Sequence, residues 1–440
     1  MELPEFFHVP FKPTTMQNAH IWLFNHTLAS ELGISMNDAF EMPKNARPFA
    51  QAYGGYQFGH FSVLGDGRAA VLGEHITPCG QRFDVQIKGA GKTPFSRGGD
   101  GKAAIAPMLR EYIISEFMHA VGVPTTRSLY VAATGETVMR EKPLAGAVLA
   151  RTAKSHIRIG TLNLAHIVGG QDKVKQIADY AISRHFPEIL DADNPYLEFL
   201  RTVMRLQAQT VAKWMGLGFV HGVMNTDNAL ISGETVDYGP CAFLDAYDPN
   251  AVFSSIDRGG RYKYQNQPIV AGWNLIRFAE SLEGLVAQKD AGAEIENFMV
   301  HYEEAWILEM RNKLGLKNER AGDAELAHEL LATMHKQKLD FTNTFRDFDI
   351  IGLDEWRVKW LHRLAVDNQT PDDAKEIMDK HNPAIIPRNH IVEEALQIAE
   401  TGDLSPVLSL IEALKAPYEP NDEYSKQAQD GYVCTTFCGT

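Results

Sequence analysis

HGVMNTDNALISGETVDYGP, residues 221–240, carries two short apolar runs, NALI and TVDY, on either side of Ser-Gly-Glu. Ser-Gly between such runs is a hairpin signal, because glycine accepts the positive φ that a tight turn needs. If Ser232 and Gly233 are the two turn residues, Ile231 faces Glu234 and, counting outward, Asn228 faces Asp237. Directly opposed strand residues have Cβ atoms ~4.5–5.5 Å apart, close enough for an amide oxygen and a carboxylate to share one cation. A turn one residue longer or shorter would leave them diagonal neighbours. Asn228 and Asp237 are therefore the candidate metal ligands. Asp227, beside Asn228, is the remaining carboxylate and the candidate proton acceptor.

Upstream, the periodicity predicts a helix from about Tyr196 to Met215 that leads into this stretch. Further upstream, FDVQIK alternates Phe83, Val85 and Ile87 with Asp84, Gln86 and Lys88, which reads as a strand with Lys88 on its polar face. Residues 82–110 hold six cations (Arg82, Lys88, Lys92, Arg97, Lys102, Arg110) against two acids (Asp84, Asp100), and RTAKSHIRIG adds Arg151, Lys154 and Arg158 with no acid. In a chain with a formal charge of −14, two cationic windows beside glycine-rich loops suggest a site for a polyanion such as ATP. A solvated charge run is the plain alternative. GDGRAA, residues 65–70, lets backbone N–H groups approach phosphates at Gly65 and Gly67, with Arg68 as a charged fork. Taken alone it reads equally well as an ordinary Asp-Gly turn. A helix is expected from near Pro107 to Gly122, with Glu111 about one turn in. A strand lysine paired with a helix glutamate is the arrangement that holds a lysine on phosphates, so Lys88 and Glu111 join Asp227 as candidate catalytic residues. By itself, Glu111 would read as an exposed helix carboxylate.

Against the kinase catalytic-loop pattern H-R-D-L-x-x-x-N, His221 matches the histidine and Asn228 the asparagine, while Val223 stands at the position of the base. Asp237-Tyr-Gly takes the place of D-F-G. Short β-type runs fill about 60–141 and helical periodicity fills about 155–416. The expectation is an α+β architecture, an atypical protein-kinase-like fold with a small β-rich N-lobe and a larger, mainly helical C-lobe. Its expected divisions are an N-terminal extension with one helix (1–50), the N-lobe (51–150), the helical C-lobe (151–416) and a flexible tail (417–440). The acidic balance argues against a general nucleic-acid binder. MELPEFFHVP lacks the pattern of a signal or transit peptide, and no stretch reaches the 18 apolar residues of a membrane span, so the expected setting is cytoplasmic with no membrane partner.

YGGYQFGHF, GDGRA, QIKGAGKTPFSRGGDGKA, REYIISEFMHAVGVPTTRSL, HGVMNTDN, DYGPCAFLDAYDP and GRYKYQNQP resemble the selenoprotein O family of kinase-like protein adenylyltransferases over almost the whole chain. The resemblance implies ATP bound in reverse, with AMP transferred to Ser, Thr or Tyr of target proteins. It implies nucleotide contacts from Gly65, Gly67, Arg68, Lys88, Asp100, Gly101, Arg151 and Arg158, with Asp237 also at the nucleotide. It further implies Mg²⁺, or Mn²⁺ in its place, on Asn228 and Asp237, with Asp227 as proton acceptor. Two departures stand out. Where relatives commonly carry a cysteine after the DYG-like motif, this chain reads AVFSSID with Ser254 and Ser255, which argues against a regulatory disulfide from the tail to that loop. In the tail VCTTFCGT, Cys438 keeps its place third from the end while the residues before it diverge. Cys434 and Cys438 read either as incidental tail residues or as a redox handle. A bridge between them, or from one of them to Cys241, is the open choice.

Two rivals come from other classes. A small-molecule or protein phosphotransferase of kinase fold would release ADP, and Val223 in the base position disfavours it. A nucleotide-binding pseudokinase scaffold would do no chemistry, and Lys88, Asn228 and Asp237 count against that.

Overall fold

The computed structural model describes residues 2–14, 19–40, 46–429 and 431–437. Its N-terminal part is built on a nine-stranded antiparallel sheet and its C-terminal part is helical. The strands are β1 (His8–Pro10), β2 (His20–Phe24), β3 (Phe49–Gln57), β4 (His60–Gly65), β5 (Ala69–Ile76), β6 (Arg82–Lys88), β7 (Ala103–Ala104), β8 (Arg127–Met139) and β9 (Pro143–Ala153). They run in the order β1-β3-β5-β6-β9-β8-β2, with β4 added on β3 and β7 on β9.

The sheet reaches further toward the N-terminus than the sequence pattern suggests. β1 and β2 close its two ends, and β3 starts at Phe49, so two short strands of the segment expected as an extension belong to the sheet. AYGGYQ in β3 carries little strand signal because it lacks alternating β-branched residues. The β3–β4 hairpin turns at Phe58 and Gly59, both at positive φ (51° and 90°), the geometry of a two-residue turn that follows the strand twist. Thr134-Gly-Glu136, a turn signal in the sequence, is a bulge inside β8, where the register to β9 shifts between Ala133 and Thr137.

Both faces of the sheet are covered. The Ile105–Ala120 helix, which starts two residues before Pro107, buries Met108, Leu109, Ile113 and Phe117 in the main core. On the other face the His26–Leu32 helix packs Leu28, Ala29 and Leu32 against Ile87, Tyr130, Val148 and Ala150. β6 presents Asp84, Gln86 and Lys88 to the first of these sides, so the charged face of this strand is the buried one. Burying charge is tolerated only where partners meet it, so this face carries a cluster of opposed charges.

Helices from Ile159 to Leu414 form the C-terminal part. Pro195–Leu217 is the longest and leads into β10 (Phe219–Val220), which pairs with β11 (Ala242–Phe243) and so pinches the 221–241 stretch at its base. The stretch beyond Pro417, expected to be flexible, makes defined contacts over its described residues. Arg388 donates to Ser425 O (2.9 Å), and Thr436 bridges Ser254 in parallel fashion while its hydroxyl donates to Pro240 O (2.6 Å).

Candidate active site

The expected hairpin across Ser232-Gly233 does not form. The turn closes one residue earlier, Gly233 N–H to Leu230 O (3.1 Å), and the two arms separate to different partners. Leu230 bridges Arg158 and Thr235 bridges Thr125. The facing register of Asn228 and Asp237 is therefore lost, because backbone donors on each arm find the β9–helix connection or the segment before β8 instead of one another. His221 bolts the stretch from inside: it is fully buried, its ring pairs with Val236 O (3.0 Å), and its N–H donates to Gln267 Oε1 (2.9 Å). Burial holds this imidazole below its ordinary pKa. Asn228 Nδ2 donates to Val223 O (2.9 Å), which leaves its amide oxygen outside that bond.

Asp237 stands at φ +64°, a left-handed conformation that a non-glycine residue adopts only under constraint. There it meets the buried face of the sheet. Lys88 pairs with Glu111 on the Ile105–Ala120 helix and with Asp237 (2.8 Å), so the expected lysine–glutamate pair is present. Gln86 and Arg151 are cross-strand partners, and Gln86 Oε1 accepts from Arg151 Nε (2.9 Å). This aims Arg151 Nη1 at Glu111 (3.2 Å) and Asp237 (3.0 Å). Lys88, Arg151 and Arg158 together hold the Asp237 carboxyl well below the usual range.

Arg158 is fully buried over the Tyr53 ring (4.2 Å to the centroid), with Asp66 at 3.7 Å and Asp237 at 3.8 Å. Asp66 is buried between Gln51 N–H (3.0 Å) and Gln86 Nε2 (3.3 Å), and burial raises its carboxyl. Asp66, Gln86 and Tyr53 are site residues that the sequence pattern does not single out. Signals existed: Gln86 shares a strand face with Lys88 at a spacing of two, and Asp66 sits inside GDGR, a window whose glycines draw the eye first.

Asp227 lies at the edge of this cluster. Its Oδ1 is buried without a hydrogen-bond partner among the described residues, and a Cβ at Gly55 would overlap it, which explains one glycine of YGGY. Burial pushes its carboxyl up to about 6. That value suits a group that takes a proton near neutral pH.

The remaining predicted residues sit further out. Gly65 and Gly67 pack under Phe95 of the 93–100 loop, which is clasped by Thr93 Oγ1 donating to Asp66 O (2.6 Å) and by Ser96 donating to Gly67 O. Arg68 is half-buried beside them. Asp100 is exposed and paired with Arg140 (2.9 Å), and Gly101 (φ +69°) allows close backbone approach to Gly91. Neither touches the buried cluster. Cys241 is buried and free, with burial pushing its thiol up to about 12, and Cys434 is free and pushed up to about 11. Cys438 lies outside the described residues. Thiols held this high carry little thiolate near neutral pH.

A family model described as protein adenylyltransferase SelO matches residues 2–415. Curated relatives named protein nucleotidyltransferase YdiU include that of Halalkalibacterium halodurans, 49% identical over 473 residues that cover 100% of this chain and 96% of the relative. That of Anoxybacillus flavithermus is 49% identical over 467 residues (100% and 97%), and that of Shouchella clausii 48% identical over 474 residues (100% and 97%). Among the described residues, no helix is long and apolar enough to cross a membrane.

Proposed function

Because the chain belongs to the SelO family of protein adenylyltransferases, we propose that the charged cluster between sheet and helices transfers AMP from ATP to a serine, threonine or tyrosine hydroxyl of another protein, on an atypical kinase-like fold. The observation that carries this reading is the pairing of a buried cationic pocket with a separate carboxylate, Asp227, whose buried Oδ1 has no hydrogen-bond partner among the described residues. Arg158 has acids near it but beyond hydrogen-bond reach, so a phosphate oxygen can take its donors without displacing a carboxylate. Lys88 and Arg151 supply the other charges.

In this reading Asp227 accepts the proton of the acceptor hydroxyl as that oxygen attacks the α-phosphorus. The bond from the α-phosphorus to the bridging oxygen breaks, and pyrophosphate leaves with its electron pair. Lys88, Arg151 and Arg158 offset the charge that develops on the phosphates, and Glu111 and Gln86 hold Lys88 and Arg151 in place. Gly65, Gly67, Arg68, Asp100 and Gly101 are assigned to the nucleotide on resemblance alone.

Asn228 and Asp237 fit a hard divalent cation. They offer an amide oxygen and a carboxylate that its neighbours keep ionised, the oxygen donors that Mg²⁺ or Mn²⁺ prefers. Such an ion, when bound, would neutralise phosphate charge. The formal charge of −14 favours protein over nucleic-acid acceptors, and we place the reaction in the cytoplasm, where ATP is available.

The test is incubation with ATP labelled at the α- or the γ-phosphate. Label from the α-position alone on self or acceptor, with an adenylyl mass increment, is expected. Incorporation from the γ-phosphate alone would promote the phosphotransferase instead.

A further inference from the structure

Next to the segment that carries Asp227, the β3–β4 hairpin meets the Gln267–Ser281 helix through rings and guanidinium groups. Two arginines lie over the Trp273 ring, Arg261 at 4.8 Å and Arg277 at 5.3 Å from its centroid, and Tyr56 meets it edge-on (5.4 Å). Phe58, 44% exposed at the hairpin tip, packs on Tyr262 (5.7 Å). This set is joined to the residues just before Asp227. Tyr56 N–H donates to Thr226 Oγ1 (3.3 Å), and the Tyr262 hydroxyl donates to Asn225 Oδ1.

The charges here are unbalanced. Arg277 is paired with Glu280 (2.5 Å), but Arg261 has no ion pair among the described residues. The nearest carboxylate by sequence, Asp257, is taken up by the backbone N–H groups of Arg261 (2.8 Å) and Tyr262 (2.7 Å). The Nε atoms of Arg261 and Arg277 are buried without hydrogen-bond partners among the described residues. On the other side, Arg97 is exposed, at φ +46°, without an ion pair among the described residues, and its charge is felt at Asp227. In a chain of net −14, two cations without an ion pair among the described residues thus lie near the one carboxylate assigned to receive the acceptor's proton: Arg97 acts on it directly, and Arg261 adjoins Tyr262, which Asp227 also reaches.

We propose that this arginine–aromatic platform binds the acceptor protein, and that it selects a hydroxyl residue flanked by aspartate or glutamate. Resting on the adenylyl-transfer reading, it specifies the substrate class of that same site. Arg261, held over the rings of Trp273 (4.8 Å) and Tyr262 (5.8 Å), pairs with a flanking carboxylate at little entropic cost. Tyr56 and Phe58 offer apolar surface to the rest of the segment, and the complementary charge sets register and discourages basic segments.

The experiment measures α-phosphate transfer to three synthetic peptides with one central hydroxyl and flanks of Asp/Glu, Gln or Lys. The acidic peptide is expected to exceed the neutral one by about fivefold or more in kcat/KM, the size of one or two such pairs, and the lysine peptide to fall below both. Added salt should shrink the preference. Arg261→Gln should remove most of it with the ATP dissociation constant unchanged, Arg261→Lys should keep part of it, and Arg261→Glu should turn it toward the lysine peptide. Equal kcat/KM for the three peptides in the wild type overturns the platform while transfer itself stands. A preference that persists in Arg261→Gln, with only the melting temperature lowered, assigns these arginines to stitching the hairpin to the helix and overturns it too. If no protein or peptide accepts α-label at all, the transfer reading fails and this inference with it.

Discussion

Arg158 and Arg388 are both fully buried, yet their surroundings differ in kind. Arg388 is closed at its two terminal nitrogens: Nη1 donates to Asp245 (2.6 Å) and Asp340 (2.6 Å), Nη2 to Asp340 (3.1 Å) and Ser425 O (2.9 Å), and its Nε, like that of Arg158, has no partner among the described residues. Arg158 is open. Its Nη1 donates to His156 O (3.2 Å), while its two carboxylate neighbours stay at 3.7 and 3.8 Å. Around Arg158 lie Oδ1 atoms of Asp66 and Asp227 that have no hydrogen-bond partner among the described residues, and the strained backbone of Asp237. A buried guanidinium whose terminal nitrogens are filled by carboxylates ties parts of the fold together, whereas one whose carboxylate neighbours stop short of contact is arranged for something that arrives.

The open region should fail in chemistry and the closed one in stability. The largest effect is expected from Asp227→Asn, which should lower kcat by about 10²–10⁴-fold with ATP affinity little changed. An equal loss of ATP affinity would move Asp227 from proton acceptor to nucleotide ligand. Arg388→Met, which strands Asp245 and Asp340, should cost about 3–5 kcal/mol in denaturant unfolding. Arg158→Met should do the reverse, lowering transfer about 10²-fold with a much smaller shift of the unfolding midpoint. If it unfolds the protein as readily as Arg388→Met, the distinction between open and closed arginines collapses.

The pH profile sharpens the same contrast on a smaller scale. Asp227 must be ionised to accept a proton and is pushed up to about 6, so kcat/KM should rise about tenfold per pH unit below that value and level off above it. Asp227→Asn should lack this limb. The sign for stability is opposite: between the ordinary 3.8 and about 6 the folded state holds the proton more tightly, so Asp227 contributes stability that declines as pH rises through that window. Smallest of all, Thr436→Ala removes the hydroxyl bond to Pro240 O and should cost about 1 kcal/mol. An unchanged unfolding midpoint would mean that the tail's contact there adds nothing.

Much of the open region is legible in the sequence. Lys88, Arg151 and Arg158 stand out because cations cluster against an acidic background, and Asp237 because a carboxylate precedes Tyr-Gly after a turn signal. Glu111 needs only helical position. The expected hairpin register fails for a reason outside its own residues, since Arg158 and Thr125 capture its two arms. Asp66 and Gln86 give weak signals because nothing local shows that a polar residue will be buried opposite an arginine. The platform at Trp273 gives none, its rings coming from residues 56–61 and 261–277.

Which elements form, and which charged residues are on hand, follow from the chain's own order of residues. Periodicity and charge clustering are properties of neighbours along the chain, and short-range sterics and hydrogen bonding act on them directly. Which charges end satisfied is settled by packing between distant segments. Lys88 meets Asp237 across 149 residues and Arg388 meets Asp245 across 143, and pairings at that range follow from how sheet and helices come together. Whether a buried arginine ends open or closed depends on angstrom-scale differences in that packing, which no local pattern encodes.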